Sequence, residues 1–217
     1  MEPTVAVITA NLGAFEKEVK NIEQVRPHDF YLFTDKNFPP RHCAMTPRLQ
    51  ARIVKMFGWQ MVPSHQIYIW VDSSFSMAQP DTVSWFIEQL GSSDAAFLRH
   101  PTRRNIQNEA DYIKMRISNN CPYLTPRYAN ELIEEQLAEI KGDKWFHDHI
   151  LLASTAFVYY LNERTEALFK EWWYHTSRYH QVDQLSLPYA LFKSKCKFNI
   201  IEENYYKTPY LSYTRRK

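Results

Sequence analysis

Along the chain, short runs rich in β-branched and aromatic residues alternate with stretches whose apolar residues recur at helical spacing. The runs predict strands over residues 5–10, 30–34, 67–71, 95–99 and 152–160, with a weaker one near 197–201. Ile67-Tyr68-Ile69-Trp70-Val71 is apolar throughout, as a central strand covered on both faces requires. Alternation of this kind points to an α/β sandwich. The first four strands each end in polar residues: Thr9-Ala10-Asn11, Thr34-Asp35, Asp72-Ser73-Ser74 and Arg99-His100. In open α/β sheets ligands bind beyond the carboxyl ends of the strands, so a site is expected there.

The helices have legible starts. Thr46-Pro47 supplies an N-cap and a first-turn proline for a helix through Phe57, with Leu49, Ile53, Met56 and Phe57 as its apolar stripe. Arg48, Arg52 and Lys55 form a second stripe about 100° round the same axis. Val83, Phe86, Ile87 and Leu90 predict a core-facing helix, and Ile106, Ala110, Ile113 and Ile117 another. Thr125-Pro126 opens a further helix with Leu132, Ile133, Leu137 and Ile140 as its buried face, and Asn162 caps the one carrying Trp172-Trp173. With no repeat or linker, residues 1–217 read as one domain, with a basic and aromatic tail from about residue 202.

Composition narrows the chemistry mainly through glycine. Only Gly13, Gly58, Gly91 and Gly142 occur, too dispersed for a dinucleotide fingerprint, a phosphate-cradling loop or a hydrolase elbow. Phosphate chemistry would have to rely on side chains, a metal or helix termini. Lys and Arg total 26 against 24 Asp and Glu, so bulk charge predicts no nucleic-acid partner. Cys43, Cys121 and Cys196 are far apart and odd in number, which suits reduced thiols in a cytoplasmic protein. Met1-Glu2-Pro3-Thr4 lacks the features of a signal peptide, and the apolar stretch 150–161 is too short to span a bilayer. A soluble protein is the expectation.

Several side chains could carry a reaction. Asp72, where an apolar strand stops, could hold a divalent cation or simply cap the turn at Ser73-Ser74. Arg48, Arg52 and Lys55 could clamp a pyrophosphate, although such a run is more often a solvated face. His100, Arg103 and Arg104 form a second basic cluster at a strand end, which leans toward phosphate or acceptor binding. Asp183, beside Gln184, could act as a general base, or sit at a helix start for the sake of the dipole. His147-Asp148-His149 lacks a third ligand for zinc, and Trp172-Trp173-Tyr174 reads more naturally as core than as a sugar platform.

In order, Ala6-Val7-Ile8-Thr9-Ala10-Asn11-Leu12-Gly13, Phe33-Thr34-Asp35, Ile69-Trp70-Val71-Asp72, His100-Pro101 with Arg103-Arg104, and Asp183-Gln184-Leu185-Ser186 resemble the domain of unknown function 616 family. These are glycosyltransferase-like proteins with plant cell-wall and bacterial polysaccharide members, and the resemblance runs from about residue 4 to about residue 193. It implies a GT-A-like, Rossmann-type mixed sheet, mostly parallel and flanked by helices. The implied activity is transfer of a sugar from a nucleoside diphosphate sugar, a uridine one, to a hydroxyl of a glycan or polysaccharide. Thr9, Ala10 and Asn11 would contact the nucleoside, Asp35 the base or ribose, and Arg48, Arg52 and Lys55 the donor phosphates. Asp72 takes the place of the metal-binding aspartate for manganese or magnesium, with Ser74 on the donor side where many such enzymes carry a second carboxylate. Asp183 matches the downstream acidic residue near the acceptor, with Gln184 beside it.

Two rivals follow from the same residues. Plant relatives include proteins described as ceramide hydrolases, but Ser73, Ser74 and Ser76 lack a glycine elbow and an evident histidine partner. Arg103, Arg104, Tyr112, Lys114 and Arg116 interleave charge with aromatics, which permits a non-catalytic nucleotide-sugar or RNA-binding module. The tail, from Tyr205-Tyr206-Lys207 to Arg215-Arg216-Lys217, could fold over the donor phosphates or touch an anionic membrane, though such tails are ordinarily mobile.

Overall fold

The computed structural model describes residues 2–16, 18–20, 22–41 and 43–214. Its centre is a six-stranded sheet built from β1 (Val5–Asn11), β2 (Asp29–Thr34), β3 (Ile67–Val71), β5 (Ala95–Arg99), β6 (Leu152–Tyr160) and β7 (Phe198–Ile201), in the order β2-β1-β3-β6-β5-β7. β1 lies parallel to β2 and β3, and β5 parallel to β7, whereas β6 runs antiparallel to both neighbours. Five strands therefore point one way, and only β6 is reversed. The apolar β3 is buried at every position, as its sequence requires.

Strand alternation sorts the side chains between two layers. Ala6, Ile8 and Ala10 of β1 and Tyr68 and Trp70 of β3 face α1 (Pro47–Met61), α6 (Glu163–Arg178) and α7 (Leu187–Ser194). Val5, Val7, Ile67, Ile69 and Val71 face α2 (Thr82–Leu90) on the other side. A third cluster joins α3 (Ile106–Ser118) to α5 (Ile133–Gly142) through Ile106, Ile113, Leu137 and Ile140.

Local signals account for the helix starts. Thr46 accepts a hydrogen bond from the Leu49 N–H with Pro47 in the first turn, and Asn105 caps α3 in the same way. Asn162 and Thr165 form a reciprocal capping box at α6. Two helices depart from expectation. α1 continues past Phe57, whose φ of −123° kinks it, to Met61. Beyond the kink Gly58 sits so close to β1 that a Cβ there would lie 2.7 Å from Ile8 Cδ1. The helix opened by Thr125-Pro126 stops after one turn as α4 (Thr125–Tyr128), and α5 starts afresh at Ile133. Between them the Leu132 N–H bonds the Tyr179 carbonyl and Glu131 accepts from the Gln181 N–H, so tertiary partners replace the helical ladder and Leu132 is exposed.

Two short strands escape sequence reading: β4 (Phe75–Met77) and β8 (Leu211–Tyr213) pair antiparallel as a separate ribbon just beyond Asp72. The segment expected to be a mobile tail is therefore built in as far as residue 214, with Tyr205 and Leu211 buried. The basic end, Arg215-Arg216-Lys217, lies outside the described residues. Among the described residues no helix is long and apolar enough to cross a membrane.

Candidate functional site

Where β1 and β3 end, the face toward α1 opens into a cleft of about 430 Å³. Alternation delivers Ala10 and Leu12 from one strand and Trp70 and Asp72 from the other, with Ser73 and Ser74 following. The first turns of α1 supply Pro47, Arg48, Ala51 and Arg52, and the small side chains of Ala10 and Ala51 leave room between helix and sheet. Tyr123, Pro126, Arg127 and Tyr128, in and before α4, form the opposite wall together with Gln181. At the rim Gly13 has φ +67° and packs so closely on Pro47 that a Cβ would lie 2.9 Å from the Pro47 Cβ.

Beneath the cleft lies a buried ionic network. Lys55 Nζ is 2.8 Å from Asp183 Oδ2 and 3.1 Å from Asp72 Oδ1, and its side chain is 1% exposed. Arg52 Nε is 3.2 Å from the same Asp183 oxygen, and Ser154 Oγ donates to Asp183 Oδ1 at 2.8 Å. Trp172 Nε1 donates to the Asp183 carbonyl at 2.7 Å. Burial pushes the Asp183 carboxyl up, but Arg52, Lys55 and Ser154 outweigh it and hold the group below the usual carboxylate range. Burial lowers the Arg52 pKa, yet Asp183 and Asp72 raise it further, so the guanidinium stays charged. Asp72 also accepts a 2.7 Å bond from Trp70 Nε1 on Oδ1, which leaves Oδ2 without a hydrogen bond among the described residues. Arg48 lies over the Tyr128 ring at 5.2 Å, and among the described residues no carboxylate pairs with it.

Of the residues singled out by sequence, Ala10, Arg48, Arg52, Asp72 and Ser74 meet in this cleft, with Lys55 immediately below. Thr9 does not: alternation turns it to the other face of β1, against Val71 and Phe75. Asn11 spends its side chain on the loop that follows, bonding the Glu16 carbonyl and N–H at 2.8 and 2.9 Å. Asp35 accepts the Gly13 N–H with both oxygens, at 3.1 and 3.0 Å, so it supports the rim rather than lining the cleft. Asp183 is too enclosed and too fully paired to take a proton from an acceptor, and the role of general base does not fit it. His100, Arg103 and Gln184 form a separate network around the buried Glu109, and Arg104 is exposed.

His147 and His149 are exposed, while Asp148 accepts the Ile106 and Gln107 N–H groups at the start of α3. Trp172 is core. Among the described residues no histidine bonds Ser73, Ser74 or Ser76, so no nucleophile of the hydrolase kind is assembled. The wall residues Tyr123, Arg127, Tyr128 and Gln181 escape sequence reading because Tyr123 and Gln181 sit in irregular backbone and Arg127 and Tyr128 in the single turn of α4, too short for a periodicity to mark a face.

Manganese or magnesium prefers several hard oxygen ligands. Among the described residues Asp72 is the one carboxylate lining the cleft, and its Oδ1 already receives an ammonium and an indole N–H. Among the described residues no group of three His, Cys, Asp or Glu is arranged to hold a metal ion. The residues present do not fit a divalent cation.

No family model matches the chain, and no curated protein matches it in sequence. Solved structures do. The apo structure of the bifunctional glycosyltransferase WbbM superposes with a TM-score of 0.53 at 9% identity, over 93% of this chain and 39% of that one. A glycosyltransferase involved in the glycosylation of the major capsid of PBCV-1 matches at TM-score 0.47 and 8% identity, over 92% of this chain and 82% of its own. The 4-diphosphocytidyl-2C-methyl-D-erythritol synthase of Anaerococcus prevotii matches at 0.46 and 10%, over 99% and 92%. The chain thus has a GT-A-like mixed α/β fold, one that glycosyltransferases use, and spans well under half the length of WbbM.

Proposed function

We propose that this chain is a glycosyltransferase that moves a sugar from a nucleoside diphosphate sugar to a hydroxyl of a glycan acceptor. The donor class implied by the family resemblance is a uridine diphosphate sugar. One observation carries the reading: Arg48 and Arg52 line a cleft at the carboxyl ends of β1 and β3 and share it with Asp72. Breaking an anomeric C–O bond leaves its electron pair on the departing diphosphate. Fixed guanidinium groups stabilise that charge where it develops. Tyr123, the exposed ring of the three aromatics that line the cleft, offers a surface to a base or a sugar ring.

Among the described residues one carboxylate lines the cleft where the acceptor proton would leave. Asp72 Oδ2 is open while Oδ1 is held by Lys55 and Trp70, so in an inverting reaction it would take the proton as the acceptor oxygen bonds the anomeric carbon. In a retaining reaction a donor phosphate oxygen would take it instead. Asp183 is reassigned to positioning Lys55 and Arg52.

A thermal-shift screen of nucleoside diphosphate sugars should single out a donor, since a ligand that binds the folded chain raises its melting temperature. With that donor, Asp72→Ala should lower turnover by ~100-fold or more while the chain remains folded, as a lost general base typically does. Unchanged turnover in Asp72→Ala would exclude the assignment of Asp72.

A further inference from the structure

We propose that the site works without a divalent cation, because Lys55 holds Oδ1 of Asp72 and neutralises the one carboxylate that lines the cleft among the described residues. This rests on the transferase reading and specifies how the diphosphate charge is met. Lys55 Nζ lies 3.1 Å from Asp72 Oδ1, a position shared with the Trp70 indole N–H at 2.7 Å. A metal bound there would sit within a few ångströms of a fixed ammonium, with like charges opposed in a partly enclosed site.

Lys55 is held in place. Its side chain is 1% exposed, and its second bond, 2.8 Å to Asp183, ties it to the turn between α6 and α7. Its ammonium lies 5.4 Å from the centre of the Trp70 ring. Withdrawing it would leave two carboxylates sharing Arg52 alone.

The charge tally points the same way. Asp72 and Asp183 are met by Lys55 and Arg52, and Arg48 stands on the cleft wall without a direct ion pair among the described residues, although the half-buried Glu131 is close enough to feel its charge and that of Arg52. Arg48 is therefore the cation of the α1 stripe placed to meet a phosphate. A guanidinium fork suits two phosphate oxygens at once. Lys55 acts through Asp72 and is a positioning residue.

Uridine diphosphate and a panel of uridine diphosphate sugars, titrated calorimetrically into the wild-type chain, provide the test. Expected is an affinity equal within about twofold in EDTA and in millimolar manganese or magnesium, with no stoichiometric Mn²⁺ seen by electron paramagnetic resonance. Binding at least tenfold tighter with metal, or one bound Mn²⁺ per chain, overturns the proposal and leaves the transferase reading intact. No binding of any nucleoside diphosphate sugar in either buffer overturns that reading, and this proposal with it. Lys55→Met unblocks Asp72, so its nucleotide affinity should become manganese-dependent, a gain that loss of packing alone cannot produce. A folded Lys55→Met chain indifferent to manganese rejects the role of Lys55. Should that variant not fold, the wild-type titrations decide.

Discussion

Two basic clusters stand at the carboxyl ends of strands, and in the sequence they look alike: Arg48, Arg52 and Lys55 on α1, and His100, Arg103 and Arg104 after β5. Their surroundings separate them. Around β5 the charge is consumed locally. Arg103 pairs with the buried Glu109, lies 4.2 Å from the centre of the Tyr112 ring, and Gln184 completes the Glu109 carboxylate. His100 accepts the Thr102 and Arg103 N–H groups on Nδ1, and burial, helped by the Arg103 charge, pulls its pKa down to about 4. On α1 two carboxylates neutralise the buried pair, and Arg48 remains facing the cleft. A cationic motif is informative only when its counter-ions are known, and these lie elsewhere in the chain.

The sharpest way to break the contrast is Asp183→Asn, which leaves Lys55 and Arg52 enclosed without their shared anion. A loss of ~3 kcal/mol or more is expected, about 10 °C in melting temperature by calorimetry. Because the folded Asp183 pKa lies below the ordinary 3.8, its contribution is complete above that value and is lost as pH falls through the lower folded one. The variant should lack this part of the acid transition.

Next in size is the titration of His100. Its folded pKa of about 4 lies below the ordinary 6.5, so unfolding takes up a proton between these values. Stability is full above about pH 6.5 and declines toward pH 4, by roughly 2–3 kcal/mol at about 1.4 kcal/mol per pKa unit. His180, buried and also near 4, contributes in the same sense. His100→Asn should therefore flatten this slope in denaturant titrations without removing it.

Smaller again is Arg48→Ala, which should weaken donor binding ~10- to 30-fold with little change in melting temperature, as loss of a charge-assisted contact of about 1.5–2 kcal/mol requires. Arg103→Ala should do the reverse, lowering stability with donor affinity intact. Arg104→Ala should change neither, within about 0.5 kcal/mol. Equal loss of donor affinity in Arg48→Ala and Arg104→Ala would erase the distinction between the clusters.

The sheet was largely legible in sequence because its strands are apolar and their ends polar; the runs at residues 67–71 and 95–99 match β3 and β5 to the residue. The three-residue β4 and β8 were not, since each holds only the other and neither has length enough for a period. On α1 the expected stripe through Leu49 and Ile53 was displaced. The buried positions are Gln50, Val54, Lys55, Met56 and Gly58, because Gln50 bonds the carbonyls of Phe38 and Pro39 and Lys55 meets its two carboxylates. Polar residues thus occupy an inward face that hydropathy reserves for apolar ones. Within the site, the α1 stripe and Asp72 could be read, whereas Thr9 was misplaced by one step of strand alternation and Asp183 by the depth of its burial.

The bond between Lys55 and Asp183 spans 128 positions of the chain. A contact of that separation forms only after most of the intervening polypeptide has collapsed, since long loops must close before it is made. The cleft floor therefore has no early or partial version on the folding route. In urea, the capacity to hold a nucleotide should vanish at the same midpoint as the sheet itself, as one cooperative event.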